Sequence, residues 1–146
     1  MKITIGSDHA GLRLKDLIKK SFPEMQFSDA GTNNEESCDY PDYIAPVARD
    51  VQEGKSDRGI AICGTGLGAS MVANKFPGIR AALCFNEFMA EMSRRHNNSN
   101  VLVLGARIIG EDLALAIVRR WLDSPFDGGR HQRRLDKIAD IESCGK

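Results

Sequence analysis

A cysteine followed directly by a glycine-rich turn is the strongest chemical signal in the sequence. Cys63 ends an apolar run and precedes the segment Gly64-Thr65-Gly66-Leu67-Gly68, after which helical spacing begins. Glycines allow backbone N–H groups to converge on one point, and a helix N-terminus adds positive potential, so this loop can hold an anion or a developing oxyanion. The same potential favours thiolate over thiol, which would make Cys63 a base or a nucleophile. A buried cysteine beside a structural turn is the alternative, but burial alone does not require three glycines at this spacing.

Two other uses of this loop are weaker. The segment from Gly64 to Ala69 matches a relaxed dinucleotide-binding pattern, GxGxxA, and Glu87 follows at about the expected twenty residues. That pattern normally follows the first strand of its domain, whereas two strand candidates precede it here. A cysteine-dependent phosphatase would need an arginine to close the anion loop, and none occurs between Gly64 and Asn74.

Polar side chains also follow the first predicted strand. Asp8 and His9 come directly after the apolar run that begins at Lys2. Ligands of open α/β sheets usually lie beyond the carboxyl ends of the strands, so both side chains are candidates for contact with a substrate. The competing interpretation is that Asp8 caps a helix and that His9 is solvated. The residues alone do not separate the two interpretations.

Three basic segments could bind an anion or move a proton. The stretch Arg94-Arg95-His96-Asn97-Asn98 ends a predicted helix, where cations complement the helix dipole, but an imidazole such as that of His96 is also a useful acid or base near neutral pH. Arg130 and Arg134 share one helical face and could together hold a phosphate dianion. Arg107, after the fifth predicted strand, is a weaker candidate of the same kind.

Short apolar runs alternate with longer stretches of helical spacing, which is the pattern of βαβ units. The predicted strands are Lys2 to Ile5, a run containing Met25 and Phe27, Gly59 to Cys63, Ile79 to Cys84, and Val101 to Leu104. Six helices are predicted. The first contains Leu14 to Phe22, the second covers about Tyr43 to Val51, and the third runs from the glycine loop to about Lys75. The fourth carries the apolar face Phe85, Phe88, Met89 and Met92, the fifth carries the core face Leu113, Ile117, Val118 and Trp121, and the sixth spans Arg130 to Ile141. The polar segment 31–39 predicts a loop. Together these elements predict a Rossmann-like α/β fold, a doubly wound five-stranded parallel sheet with helices on both faces.

Composition and charge exclude several classes of protein. The chain has 146 residues with 42% hydrophobic content, which predicts a single domain over residues 1–146. Lys plus Arg and Asp plus Glu number 20 each, so no overall charge would attract nucleic acid or an acidic membrane. The absence of a signal-peptide pattern and of a long apolar run predicts a cytoplasmic protein. Four widely spaced cysteines predict free thiols rather than disulfides or a metal site.

These groups together suit proton transfer next to a carbonyl. The sequence offers a thiol base, an oxyanion-binding loop, an imidazole and separate arginines for a phosphate. In an aldose–ketose isomerisation the base removes a proton from C2, charge moves onto the carbonyl oxygen, and the proton returns at C1. Loop N–H groups would stabilise the enediolate, which is the largest single contribution expected at such a site. This chemistry requires neither a metal nor another cofactor.

Six segments resemble the type B ribose 5-phosphate isomerase family. They are SDHAG, CGTGLG, ANKFPGIRA, SRRHNN, NVLVLGARIIG and GGRHQRR, and they span nearly the whole chain. Each segment is modest by itself, but their order and spacing together are highly specific. The resemblance implies a Rossmann-like domain that forms a homodimer, and it leaves dimer and tetramer both open.

The resemblance also implies a role for each candidate residue. Cys63 would be the proton acceptor, and Thr65 with the amides of the glycine loop would hold the enediolate oxygens. His96 would open the furanose ring, and it would do so with Asn97 in the partner's site, so that a monomer lacks a complete site. The other implied substrate contacts are Asp8, His9, Gly64, Gly66, Leu67, Gly68, Arg107, Arg130 and Arg134. Some members replace the cysteine with a glutamate just after the glycine loop, where this chain has Ala69, so the cysteine branch is the better assignment.

The substrate follows from the resemblance alone. Related family members act on allose 6-phosphate or galactose 6-phosphate, and residue spacing does not fix the depth of the pocket that would select five carbons over six. Ribose 5-phosphate is preferred because the chain resembles that branch most. A nucleotide-binding module and a non-catalytic sugar-phosphate sensor remain as alternatives, and both would tolerate the loss of Cys63.

Overall fold

Five parallel strands form one sheet at the centre of the molecule. The computed structural model describes residues 1–144, and its strands are β1 (Lys2–Ser7), β2 (Gln26–Asp29), β3 (Arg58–Cys63), β4 (Ala81–Leu83) and β5 (Val101–Gly105). Their order across the sheet is β2-β1-β3-β5-β4, and every neighbouring pair is parallel. Because parallel strands cannot be joined by a tight turn, each connection contains a helix.

Six α-helices surround the sheet. They are α1 (Leu12–Ser21), α2 (Tyr40–Gln52), α3 (Leu67–Ala73), α4 (Glu87–Arg95), α5 (Glu111–Asp123) and α6 (Arg130–Cys144), and a short 3-10 turn, His9–Gly11, precedes α1. In residues 1–144 none of these helices is long and apolar enough to cross a membrane. The cysteines of this part of the chain are all free thiols, as their spacing predicts.

Different helices cover the two faces of the sheet, which confirms the doubly wound fold. On one face, Ile60 and Ile62 of β3 pack with buried residues of α1, α4 and α5, among them the fully buried Trp121. On the other face, Ala61 and Cys63 of the same strand pack with α2 and α3. Since successive side chains of a strand point to opposite faces, this alternation directs the Cys63 side chain toward α2 and α3.

The strand order reverses between β1 and β3. From β1 the chain moves to β2 on one side, and the three later strands lie on the other side. The loops that leave β1 and β3 therefore diverge and open a crevice at the carboxyl edge of the sheet, where ligands of doubly wound folds bind. Asp8 and His9 follow β1 at this crevice, and Cys63 ends β3 beside them.

The predicted apolar face of α4 points away from the core. Three of its four predicted members, Phe85, Phe88 and Met89, are exposed, Phe88 by 71%. The buried side of α4 instead carries Ala90, Ser93 and Arg94. The two polar residues can lie there because their side chains form hydrogen bonds inside the fold.

Other differences from the sequence prediction are small. Leu113 is 36% exposed and does not belong to the core face of α5, whereas Ile117, Val118 and Trp121 are fully buried as predicted. Strand β4 is only three residues long, inside the predicted range Ile79 to Cys84. Helix α2 begins three residues before the predicted Tyr43, because Asp39 and Pro41 start it earlier.

Candidate active site

The loop after β3 holds the thiol of Cys63. The Sγ atom accepts a hydrogen bond from the backbone N–H of Gly66 at 3.2 Å, and Cys63 is only 4% exposed. Gly66 has a φ of +80°, a left-handed conformation that L side chains rarely adopt, and a Cβ atom there would collide with Leu83. Glycine at position 66 therefore allows the amide to face the thiol. This contact orients the sulfur at the end of β3, where the thiol is the candidate base.

Tyr40 belongs to the same edge, although the sequence does not single it out. It begins α2, and a Cβ atom on Gly68 would lie 2.6 Å from the Cζ atom of its ring and 2.9 Å from its hydroxyl oxygen. The ring therefore rests on the glycine loop. The segment before α2 predicts only a polar loop, and no periodic pattern relates that loop to the one after β3.

Arg107 borders the glycine loop from the side of β5, and Thr65 lies within the loop. The Arg107 N–H donates to the carbonyl oxygen of Gly64 at 2.9 Å, and the guanidinium group lies beside Gly64. Thr65 is exposed, and its Oγ1 accepts a hydrogen bond from the N–H of Leu67 at 3.3 Å. The guanidinium group of Arg107 and the hydroxyl group of Thr65 can therefore contact an anionic or hydroxylated ligand at the loop.

Asp8 and His9 extend this group from the end of β1. The Asp8 N–H donates to the carbonyl oxygen of Ile62 at 3.3 Å, which joins the ends of β1 and β3. Asp8 Oδ1 accepts two backbone N–H groups of the following turn at 3.0 and 3.1 Å, so the capping interpretation is confirmed. Capping uses one carboxylate oxygen and leaves the other for a ligand. His9 Nδ1 accepts a hydrogen bond from the Cys38 N–H at 3.2 Å, which fastens the loop before α2 onto this edge.

A second group of predicted residues lies where α4 ends and α6 begins. The imidazole rings of His96 and His131 stack with centroids 4.2 Å apart and planes 7° from parallel. Burial, the neighbouring His96, and the guanidinium groups of Arg130 and Arg134 lower the pKa of His131. His131 is a functional candidate that sequence reasoning missed, although it stands between the two predicted arginines in the segment GGRHQRR.

The cations of this second group are open to solvent. Arg130 and Arg134 are exposed on α6, and within residues 1–144 neither guanidinium group forms an ion pair with a carboxylate. Asn97 is exposed directly after His96. Unpaired guanidinium groups on one helical face beside two imidazoles form a surface that can hold a phosphate.

The two groups lie at opposite edges of the sheet. Cys63 pairs with Gly105 at the carboxyl ends of β3 and β5, whereas Gly59 pairs with Val101 at their amino ends. The four residue steps that separate these pairs span roughly 13 Å at 3.3 Å per residue. Because α4 returns the chain to the amino end of β5, His96 lies beyond that far edge. One chain therefore brings together Asp8, His9, Cys63, the loop 64–68 and Arg107, and separately His96, Asn97, Arg130 and Arg134.

One cluster has the residue types of a metal site. Nitrogen and oxygen atoms of His96, Asp127 and His131 lie within 4.8 Å of one another. A tetrahedral metal site requires lone pairs that converge on a common point. The nitrogen lone pairs of two parallel stacked rings instead lie side by side. The Asp127 carboxylate also accepts hydrogen bonds from Arg95 Nε at 3.2 Å. The geometry therefore favours a stacked imidazole pair over a metal centre.

A large cavity lies away from Cys63. Its volume is about 650 Å³, and it opens between α4 and α5. Its wall carries four carboxylates and three guanidinium groups, and Glu91 bridges Arg95 at 3.1 Å and Arg120 at 3.5 Å. A cavity with nearly balanced charges offers little net attraction to an anionic ligand, so we do not place the active site there.

Comparison with known proteins gives a consistent result. Residues 3–138 match the model of the ribose/galactose isomerase family. Ribose-5-phosphate isomerase B of Escherichia coli is 47% identical over 143 residues, which cover 97% of this chain and 96% of that protein. The structure of Clostridium thermocellum ribose-5-phosphate isomerase B superposes with a TM-score of 0.98 at 53% identity and covers all of both chains.

A further solved relative contains a ligand. It is ribose-5-phosphate isomerase B of Mycoplasma genitalium with bound ribulose-5-phosphate, with 42% identity, a TM-score of 0.93, and coverage of 97% of this chain and 96% of that one. The fold, the cysteine and glycine loop at the crevice where the strand order reverses, and these relatives all indicate the same family. The protein belongs to the ribose/galactose isomerase family.

Proposed function

We propose that the protein is a ribose 5-phosphate isomerase that interconverts ribose 5-phosphate and ribulose 5-phosphate through an enediolate, with Cys63 as the base. The observation that carries the proposal is the Gly66 N–H directed at the Cys63 thiol, at the crevice where the strand order reverses. Relatives that bear the name of this activity, and one that holds ribulose-5-phosphate, support the choice of substrate.

The reaction moves a proton from C2 to C1 of the same substrate molecule by way of Cys63. The Cys63 thiolate removes the proton from C2 of the open-chain aldose and returns it to C1, while the proton on O2 moves to O1. Negative charge develops on the two oxygens of the enediolate between these steps. The N–H groups of the loop 64–68 and the hydroxyl group of Thr65 are the donors for these oxygens. Asp8 and His9 contact the sugar from the end of β1, and Arg107 from the end of β5.

Ring opening and phosphate binding use the second group. Ribose 5-phosphate is mostly a furanose, so the bond between C1 and the ring oxygen must break before the proton transfer. The His96 imidazole moves the proton from O1 to the ring oxygen, and Asn97 lines the pocket beside it. Arg130 and Arg134 hold the phosphate, for which their unpaired guanidinium groups are suited.

The separation of the two groups supports a homodimer with shared active sites. Cys63 and His96 lie at opposite edges of one sheet, so a small sugar phosphate cannot touch both within one chain. A two-fold dimer solves this problem, because the amino edge of one subunit can face the carboxyl edge of the other. Each active site then takes Cys63 from one protomer and His96 from its partner.

The surface around the edge strand β4 supports a second copy of this chain as the dimer partner that covers it. Two shallow depressions of about 290 Å³ each flank β4 and share Ala82 and Asn97. Large apolar side chains are exposed around them, among them Phe88 of α4 and Ile138 of α6. Such a patch on a monomer marks an interface. Asn97 on its wall links this interface to the residues that would complete the partner's site.

Activity measurements on the purified protein test the function. We expect metal-stripped protein to form ketose from ribose 5-phosphate, with allose 6-phosphate assayed in parallel. Cys63→Ala should lower this activity at least about 1000-fold, since a general base contributes roughly 10² to 10⁴ in rate and this base acts at the central step. Turnover of allose 6-phosphate alone would move the substrate and keep the mechanism.

Cys84 offers a matched control for the thiol. It is also buried at the end of a strand, following β4, but burial raises the pKa of its thiol to about 11, and no backbone amide faces its sulfur in the described structure. Cys84→Ala should keep activity within about threefold of the wild type. Near-normal turnover by Cys63→Ala would remove the thiol as the base, and loss of activity in both variants would indicate damage to the fold instead.

A further inference from the structure

Arg94 is a buried cation next to the residues proposed for ring opening. It lies in the last turn of α4, it is 8% exposed, and no carboxylate in residues 1–144 forms an ion pair with it. Burial, together with the positive charges of Arg58 and Arg80, lowers the pKa of its guanidinium group to about 10. The fold therefore places a charge where solvation is poor and where the neighbouring charges repel it.

The guanidinium group is directed at the turn that follows His96. Its Nη1 donates to Asn98 Oδ1 at 3.0 Å and to the carbonyl oxygen of Ser99. Asn98 has a φ of +44°, in the left-handed region, so the chain reverses there and enters β5. Arg80 holds the same turn from the other side, because its Nε donates to the Asn98 carbonyl oxygen at 3.0 Å.

A buried hydroxyl pair supports the turn from below. The Ser93 and Ser99 hydroxyl groups form a hydrogen bond of 2.9 Å, and the Trp121 indole N–H donates to Ser99 Oγ at 2.8 Å. The turn 97–100 is therefore fixed to the core by side chains of α4 and α5 and by Arg80, which directly precedes β4. His96 and Asn97 themselves are not buried, so their positions depend on this turn and on the end of α4.

A charge is not necessary to fill this volume. Burying a charge without an ion-pair partner costs free energy, and an apolar side chain of similar size would fill the same volume without that cost. The contacts of Arg94 suggest another purpose, because each of its acceptors belongs to the turn that presents His96 and Asn97 to the protein surface. A small displacement of a catalytic group can lower the rate by about 100-fold.

We propose that Arg94 is a positioning residue for ring opening, which holds His96 and Asn97 through its hydrogen bonds to Asn98 and Ser99. This inference rests on the proposed isomerase function and on the ring-opening role of His96. It assigns Arg94 no contact with the substrate. Its loss should therefore impair the step that uses His96 and leave the step that uses Cys63 almost unchanged.

The two steps can be measured separately. Ribulose 5-phosphate carries its phosphate on O5 and cannot form a furanose ring, so exchange of its C1 proton with D2O, followed by NMR, reports proton transfer without ring opening. Formation of ketose from ribose 5-phosphate requires both steps. For Arg94→Met, which keeps most of the stem, we expect a 10- to 100-fold loss of kcat/KM from ribose 5-phosphate. The exchange from ribulose 5-phosphate should stay within about threefold of the wild type.

Two further variants keep the test informative if Arg94→Met folds poorly. Asn98→Gly retains the left-handed conformation and removes one acceptor of Arg94, so it should show the same selective loss in a weaker form. Arg119→Met is the matched control, since the Arg119 guanidinium group forms an ion pair with Glu24 at 2.7 Å and lies over the ring of Phe22, without a hydrogen bond to the turn in residues 1–144. Its ratio of the two rates should equal that of the wild type.

The possible results separate the two proposals. Equal losses of both rates in Arg94→Met and Asn98→Gly would show that Arg94 supports only the fold, and this would overturn the inference while the proposed function stands. A wild-type protein that catalyses neither reaction would refute the proposed function itself. A selective loss in Arg94→Met and Asn98→Gly, with none in Arg119→Met, is the expected result.

Discussion

The carboxyl edge and the amino edge of the sheet are built on different principles. At the carboxyl edge, strand ends and backbone amides hold Cys63, and the key contact is the Gly66 N–H at 3.2 Å from the sulfur. At the amino edge, helix ends carry stacked imidazole rings and guanidinium groups that are open to solvent, as the exposed Arg130 and Arg134 illustrate. The proposed function assigns the stabilisation of developing charge to the carboxyl edge, where backbone groups are the donors, and the recognition of the substrate to the exposed amino edge, once a second subunit covers it.

The two edges also differ in how their functional groups are held. The Cys63 loop is held by backbone groups, since the Gly66 N–H donates to Cys63 Sγ and the backbone N–H of Arg107 donates to the Gly64 carbonyl oxygen. The turn at the amino edge is held by side chains, such as the Trp121 indole that donates to Ser99 Oγ. If this division is correct, substitutions at the two edges should affect different steps of the reaction.

The largest difference between the effects on ring opening and on proton transfer is expected for His96→Asn. An acid–base group contributes roughly 10² to 10⁴ in rate, so turnover of cyclic ribose 5-phosphate should fall at least about 100-fold. Exchange of the C1 proton of acyclic ribulose 5-phosphate should remain near the wild-type rate, because it uses Cys63 alone. Equal damage to both rates, measured on one preparation, would remove the ring-opening role of His96.

A smaller effect on binding is expected for Arg134→Met. Charge-assisted hydrogen bonds contribute about 1.5 to 3 kcal/mol, which corresponds to roughly a 10- to 100-fold increase in KM for ribose 5-phosphate. The adjacent Arg133 is also exposed on α6 and provides the matched control, with KM expected to be unchanged in Arg133→Met. Similar KM values for the two variants in steady-state assays would place the phosphate elsewhere.

The smallest effect concerns stability and pH at the amino edge. Burial and the charges of His96, Arg130 and Arg134 lower the pKa of His131 from its usual 6.5. The folded protein thus binds this proton less readily than the unfolded chain, so the free energy of unfolding falls as the pH drops through 6.5 and on toward the lowered value. Calorimetry between about pH 7.5 and 5.5 should show a smaller decrease of Tm in His131→Asn than in the wild type. An equal decrease in both would mean that His131 is not responsible.

The carboxyl edge was largely predictable from the sequence. Strand β3, the glycines after Cys63, and Asp8 after β1 are short-range patterns, and the parallel fold brings strand ends together without further information. Tyr40 escaped prediction because its contact with Gly68 depends on the path of the loop before α2. No periodic pattern encodes such a contact.

The amino edge was less predictable, and α4 shows why. Helical spacing marks an apolar face with Phe88 and Met89, but spacing does not say whether that face meets the core or a second chain. Arg94, a charged residue, occupies the buried side because the turn after His96 supplies its acceptors. The stack of His96 on His131 joins residues 35 positions apart and likewise has no local signal.

Mixing two inactive variants tests most directly that each edge supplies half of an active site. Cys63→Ala and His96→Asn are unfolded together, refolded in equal amounts, and assayed with ribose 5-phosphate. If the site is shared, half of the dimers are hybrids with one intact site, and activity should recover to about a quarter of the wild-type value. Activity that stays at the level of the separate variants, in a mixture shown by mass spectrometry to contain hybrids, would contradict the account.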